Sequence, residues 1–262
     1  MALLIRVDLV SMLFGMFSRD AEMIVVHVAI GMGGCLGVGS NAAKTLAAAL
    51  NKPLVGVHHM QAHALTPFLT TPKADIPQFP FLTLLISGGH TLLLLALSVN
   101  SFRILATTVD ESLGRTFDKV SRLLDIPWSG IGPGAALEQF CAIDYLGIKL
   151  PKIDPPLPIP HSMHGQLVFS FSGLHSAVER YITARNGAPN LDLPTRLSLA
   201  RAFQMTAVSQ LEDKLCLGLK WCERQNVQVR HVVVSGGVAS NTFLRGRFVN
   251  LFQNKSSSLK CL

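Results

Sequence analysis

FLTLLISGGHTLLLLAL, residues 81–97, is the stretch on which the fold turns. It lies inside the longest run free of Asp, Glu, Lys and Arg, Ile76 to Phe102, which is nominally long enough to cross a bilayer. The punctuation of that run argues otherwise. Pro77 and Pro80 open it, Ser87-Gly88-Gly89-His90 splits it, and Ser98, Asn100 and Ser101 close it. The two apolar pieces, 81–86 and 91–97, have the length of strands and not of helices. The stretch therefore predicts a buried hairpin around a glycine turn, and no membrane span.

Working outward, residues 24–30 (IVVHVAI) read as a buried β-branched strand. Five glycines follow at 31, 33, 34, 37 and 39, and a helix is predicted from Ser40 or Asn41 to Leu50. LVGVHH (54–59) is a short strand entering a helix near His58. After the hairpin come a strand at 104–109 and a helix from Asp110 with Leu113, Phe117, Val120, Leu123 and Leu124 on one face. A Pro/Gly segment, 127–134, precedes a helix over 135–142; residues 151–164 carry five prolines and read as a loop. Helices follow near Ser172 and over about 194–225, then a strand at 229–234 and a helix from about Ala239. Alternation of strands and helices makes the class α/β. LTLLISGG (82–89) and HVVVSGG (231–237) form a quasi-repeat. It predicts two related lobes, each presenting one glycine turn to a shared cleft, unless the recurrence of strand-Gly-Gly is coincidence.

Length and composition bound the rest. The 262 residues are 49% hydrophobic and 15% charged, enough for a sizeable core. The net charge is +7, and residues 132–262 hold 14 Lys+Arg against 8 Asp+Glu. A basic half is compatible with nucleic acid, and equally with a basic protein that has no acidic partner. The five cysteines (35, 141, 216, 222 and 261) form no C-x-x-C pair, which argues for a reducing compartment and structural thiols. Residues 1–17 are apolar but carry Arg6 and Asp8, and fit neither a secretory signal nor a transit peptide.

Chemistry can sit at the glycine turns. Without a Cβ the backbone comes close to an anion, and freed N–H groups at a helix start hold it. Turns at 31–39, 87–89 and 235–237 point to a phosphate-bearing ligand. The common fingerprints are absent: Lys44-Thr45 lacks the P-loop glycines, and Leu36 stands where a dinucleotide motif has glycine. His59 and His63 are four apart, one helical turn, a spacing able to chelate zinc or iron if an acidic ligand comes from elsewhere; they are equally readable as two half-buried histidines. Asp118 is a ligand carboxylate or a solvated helix face. Asn241 is a ligand contact or the cap of the helix it precedes.

HHMQAHALTP (58–67), LLISGGHT (84–91), DESLGRTFDKV (110–120), FSFSGLH (169–175) and VVSGGVASN (233–241) occur in this order. Together they resemble the family of tRNA N6-adenosine threonylcarbamoyltransferases, once called O-sialoglycoprotein endopeptidases, over about residues 24–249. HHMQAHALT with FPFLTLLISGGH is most similar to the mitochondrial branch. The resemblance implies an actin/Hsp70-like, ribonuclease-H-related fold of two lobes, at 24–125 and 126–262. It implies a divalent metal, zinc or iron, on His59 and His63, and ligand contacts from Leu85, Ile86, Ser87, Gly88, Gly89, Asp118, Gly134 and Asn241, with catalytic residues unassigned. The implied donor is threonylcarbamoyl-adenylate from a separate synthase. The implied acceptor is N6 of the adenosine 3′ to the anticodon in tRNAs reading codons that start with A. A mitochondrial matrix location and compatibility with a homodimer follow from the same resemblance.

The departures shape the expectation too. Nothing in residues 1–23 resembles the family's opening G-I-E-T-S-C-type strand and phosphate loop. NLFQNKSSSLKCL (250–262) replaces the C-T-D-N-type segment whose Asp is the third metal ligand. Gln61 and Arg115 stand where Glu is common, and Gly134 aligns loosely. A copy truncated at both ends, with weak metal binding and lowered activity, is the expectation. The alternatives are a non-catalytic relative that only binds partners, or a metal-dependent hydrolase resting on the histidine pair.

Overall fold

The computed structural model describes residues 2–5, 23–28, 33–144, 150–153, 163, 165–255 and 260–261. They fall into two compact units, Met1–Thr66 and Pro67–Leu262. The first unit is a parallel three-stranded sheet in the order β1 (Ala2–Ile5), β2 (Met23–Val28), β3 (Leu54–His58), with helices α1 (Gly33–Ala49) and α2 (His59–Leu65). Helix α1 starts at Gly33, not at Ser40, and takes Gly33, Gly34, Gly37 and Gly39 into its first turns. Glycine disfavours a helix without forbidding it, at about 1 kcal/mol per position against alanine. The glycine run is thus largely helix and not a turn, with Gly31 outside the described residues.

The second unit opens with the short helix α3 (Pro67–Thr70) and is built on a six-stranded mixed sheet. Its strands, in spatial order, are β7 (Val168–Phe169), β6 (Ser101–Thr108), β5 (Thr91–Ser98), β4 (Phe81–Ile86), β8 (His231–Ser235) and β9 (Lys260–Cys261). Every residue of β4, and Thr91 to Ala96 of β5, is buried. A strand covered on both faces reads as a continuous apolar run, which is why the expected hairpin forms at 81–98. Among the described residues no helix is long and apolar enough to cross a membrane.

One face of the sheet carries α4 (Leu113–Leu123), α5 (Pro133–Cys141), α6 (Ser172–Thr183), α7 (Leu193–Arg224) and α8 (Thr242–Lys255) over a single core that includes Leu84, Ile86, Phe117, Phe169, Phe203 and Phe248. The expected apolar stripe of α4 is the buried one, and Phe117 meets Phe203 with ring centroids 5.1 Å apart. Asp192 caps α7, its side chain accepting from the Thr195 N–H, and Pro194 sits in the first turn where its missing N–H costs nothing. A smaller cluster of Phe81, Ala96 and Val233 is packed by Phe68, Phe79 and Phe102. Cys141 and Cys222 are buried free thiols, and burial pushes them up to about 12 and about 11. They remain protonated and structural, as their scatter suggested.

The quasi-repeat resolves differently from its reading as two lobes. Strands β4 and β8 pair side by side in parallel, from Leu82 with Val232 to Leu85 with Ser235. Both Ser-Gly-Gly turns leave the same end of one sheet. The physical reason is that two short, apolar, β-branched or leucine-rich strands, each needing neighbours on both edges, satisfy one another. The proline-rich loop expected at 151–164 lies largely outside the described residues.

Candidate functional site

The carboxyl ends of β4 and β8 open an indentation of about 220 Å³ in the second unit, lined in part by Gly88, Asp118, Gly134 and Asn241. Four residues singled out from separate motifs thus meet in one place. Leu85 and Ile86 are fully buried in β4 and deliver the turn without lining the space.

The turn is fixed by its own atoms. The Ser87 hydroxyl oxygen accepts from the N–H groups of Gly89 and His90 (3.3 and 3.0 Å), and the Ser87 N–H donates to the His90 carbonyl at 2.8 Å. Burial lowers the imidazole pKa of His90, which favours the neutral ring. Helix α4 is pressed against this turn. Ser112 donates its hydroxyl to the Gly88 carbonyl at 2.6 Å, and the Gly114 N–H donates to the Ser87 carbonyl at 3.3 Å. A Cβ on Gly114 would stand 2.7 Å from that carbonyl oxygen, so only glycine permits the contact. At the second turn Gly236 has φ +102°, and a Cβ there would stand 2.3 Å from the Ile86 carbonyl oxygen. A single helical turn, Gly237–Ser240, follows it, with Gly237 and Ser240 on the pocket wall.

The N-termini of α4, α5 and α8 converge here, and two of them are tied to carboxylates. Asp118, on α4, accepts from the Gly134 N–H at 2.9 Å in the first turn of α5. Glu138, one turn along α5, accepts from both the N–H and the hydroxyl of Thr242, at 2.7 Å each, at the start of α8. Asn241 caps α8 by accepting from the Leu244 N–H at 2.9 Å, and is only 5% exposed. Asn241 therefore acts as the cap of α8, and it also borders the pocket. The result is a glycine-lined wall at three helix N-termini with two fixed carboxylates, suited to a ligand carrying both phosphate and hydroxyls.

Sequence reading missed Glu138 and Asp110. Asp110 is the hub behind the pocket: its carboxylate accepts from the hydroxyls of Ser170 and Ser172 (2.6 Å each) and from the Phe171 and Glu111 N–H groups (2.9 and 2.5 Å). Partial burial pushes its pKa up, and these donors outweigh that and bring it to about 2. DES and FSFS, read as separate motifs, are the two halves of this clamp. Glu138 had no signal, because its partner lies 104 residues away.

His59 and His63 lie on α2 of the other unit. Both are partly buried, and their rings stand 4.4 Å apart between centroids at 84°. Two imidazoles on successive turns fit as two ligands of one ion. Among the described residues no group of three or more His, Cys, Asp or Glu completes a metal site.

Comparison with known proteins adds a family. The family model described as tRNA N6-adenosine threonylcarbamoyltransferase matches residues 14–260, beyond the 24–249 read from the motifs at both ends. A probable mitochondrial tRNA N6-adenosine threonylcarbamoyltransferase of Arabidopsis thaliana is 35% identical over 251 residues, 93% of this chain and 50% of that protein. A tRNA N6-adenosine threonylcarbamoyltransferase of Chromobacterium violaceum is 37% identical over 227 residues, 86% of this chain and 62% of that one. The chain thus spans half to three-fifths of these relatives' length. The crystal structure of full-length HypF in its phosphate- and nucleotide-bound form superposes with a TM-score of 0.57 at 16% identity, covering 93% of this chain and 44% of that one. The likeness is one of fold, and the architecture is of the actin/Hsp70-like class.

Proposed function

The chain belongs to the tRNA N6-adenosine threonylcarbamoyltransferase family, and from that premise we propose that it transfers a threonylcarbamoyl group from threonylcarbamoyl-adenylate to N6 of the adenosine 3′ to the anticodon, in tRNAs reading codons that start with A. The observation that carries the reading is the meeting of Gly88, Asp118, Gly134 and Asn241 in one pocket among helix N-termini. The adenylate phosphate lies against the glycine turns at the helix N-termini, and the carboxylates of Asp118 and Glu138 accept from its ribose hydroxyls. The N6 amine attacks the carbamoyl carbon; the new C–N bond forms as the bond from that carbon to the phosphate oxygen breaks, AMP leaves, and the amine gives up a proton. Holding the donor in line is the protein's main task.

His59 and His63 would hold a divalent ion, zinc or iron, and that ion would supply Lewis acidity. The partners of this reading are tRNA, a separate synthase that supplies the donor, and a second copy of the chain; the location is the mitochondrial matrix. The plant relative named mitochondrial supports the location, and the basic half supports the RNA. The test is purified chain with threonylcarbamoyl-adenylate, zinc or iron(II) and a tRNA carrying the target adenosine, read by mass spectrometry of the digested nucleosides. Threonylcarbamoyladenosine is the expected product, and its absence with a folded chain and intact donor would overturn the reading.

A further inference from the structure

Beside the pocket the chain leaves a large aromatic ring in water. Helix α4 ends at Leu123, and Pro127-Trp128-Ser129-Gly130-Ile131-Gly132 leads to α5, with Gly132 already on the pocket wall. Trp128 is 45% exposed and Ile131 38%. The loop is held firmly at both ends: the Arg196 guanidinium donates to the carbonyls of Leu124 and Asp125 (2.7 Å to the latter), and Gly134 is tied to Asp118. Arg122 places its guanidinium 5.8 Å from the centre of the Trp128 ring, within cation–π range.

The same helix supplies charge on the way to that ring. Arg115, Lys119 and Arg122 are spaced four and three apart, so they share one face of α4, next to the face of Gly114, Phe117 and Asp118 that lines the pocket. Lys119 is paired with Glu111, while Arg115 and Arg122 are exposed. An exposed indole on an anchored loop, the Arg122 guanidinium against it, and Arg115 exposed farther along the same helix face match an unpaired RNA strand: bases stack on the ring, and phosphates follow the arginines.

We infer that Trp128, with Arg115 and Arg122, forms a stacking and phosphate-contacting surface for unpaired nucleotides that flank the acceptor base presented at the mouth of the pocket. This deepens the function proposed above and rests on it for the identity of the base. The probe is a synthetic RNA hairpin with a seven-nucleotide loop, titrated into the full chain at low salt, with AMP as the probe of the pocket. The chain has two tryptophans, and Trp221 is already paired with Arg103. Stacking should therefore quench emission in the unmodified chain and leave it nearly unchanged in Trp128→Phe, which should still bind the hairpin. Trp128→Ala should bind the hairpin about tenfold more weakly, with circular dichroism and AMP affinity unaltered. Arg115→Ala and Arg122→Ala should each flatten the salt dependence. Hairpin binding that is absent in the unmodified chain, unaltered in Trp128→Ala, or displaced by polyglutamate as readily as by RNA would overturn the inference. RNA binding that behaves as stated in a chain that binds no AMP would uphold this surface and overturn the adenylate reading instead.

Discussion

Asp118 and Asp110 sit eight positions apart on one segment and hold different things. Asp118 ties the start of α5 to the pocket, so Asp118→Ala should cost about 1 kcal/mol of stability, the usual worth of a lost helix cap. It should also weaken AMP binding; urea unfolding and calorimetric titration would separate the two effects, and an unchanged AMP affinity would remove Asp118 from the site. Asp110 has its pKa brought to about 2 from an ordinary 3.8 by the donors around it. The fold favours its charged form, so its contribution is complete above about pH 4 to 5 and is lost as pH falls through 2. The stability difference between the unmodified chain and Asp110→Asn should therefore shrink steadily below pH 4; a constant difference would show that the clamp does not depend on the charge. Which residues meet was only partly legible in the sequence, for a physical reason. Gly88 and Asn241 lie beside strand and helix boundaries that periodicity reveals. The meeting of Glu138 with Thr242, or of Asp110 with Ser170, depends on which distant segments pack together.

Among the elements, the strand-to-helix crossings next to the pocket tolerate the least change. Gly236 combines a positive φ with a Cβ position 2.3 Å from the Ile86 carbonyl oxygen. Gly236→Ala should destabilise by about 3 kcal/mol, the upper end of what overpacking costs, whereas Gly237→Ala, which meets nothing within 4 Å, should lose well under 1 kcal/mol. Thermal unfolding of the pair would decide, and equal losses would refute the account. Elements with strong periodicity were legible beforehand: the 81–98 hairpin, α4 and the 32-residue α7 all form within a few residues of where the sequence puts them. The start of α1 was not, because propensity treats glycine as a stop while the backbone treats it only as a weak helix former.

For the whole molecule, the α/β class follows from the sequence, but the relation between the two Ser-Gly-Gly strands does not. Similar strands are as compatible with a duplicated lobe as with neighbours in one sheet, and only long-range pairing chooses. Protection should be unequal. Amides of β4, β5 and β8, enclosed in the large core of the second unit, should exchange at the limit set by global unfolding. Those of α1, where Ala43 and Ala47 form the buried cluster, should exchange faster. Exchange mass spectrometry would show it, and uniform rates would contradict it. The pairing of β4 with β8 also governs how the chain is made. Leu82 waits for Val232, 150 positions later. Relative to a ten-residue hairpin, closing such a span costs on the order of 2 kcal/mol more entropy before any contact repays it. On a ribosome the central sheet lacks β8 and β9 until the residues from 231 onward have emerged. Meanwhile the leucine-rich hairpin is synthesised early, with the edge of β4 open. Stalled nascent chains ending before residue 231 should remain sensitive to protease and be held by chaperones, and folding should start late and proceed slowly, as it does for proteins dominated by distant pairings.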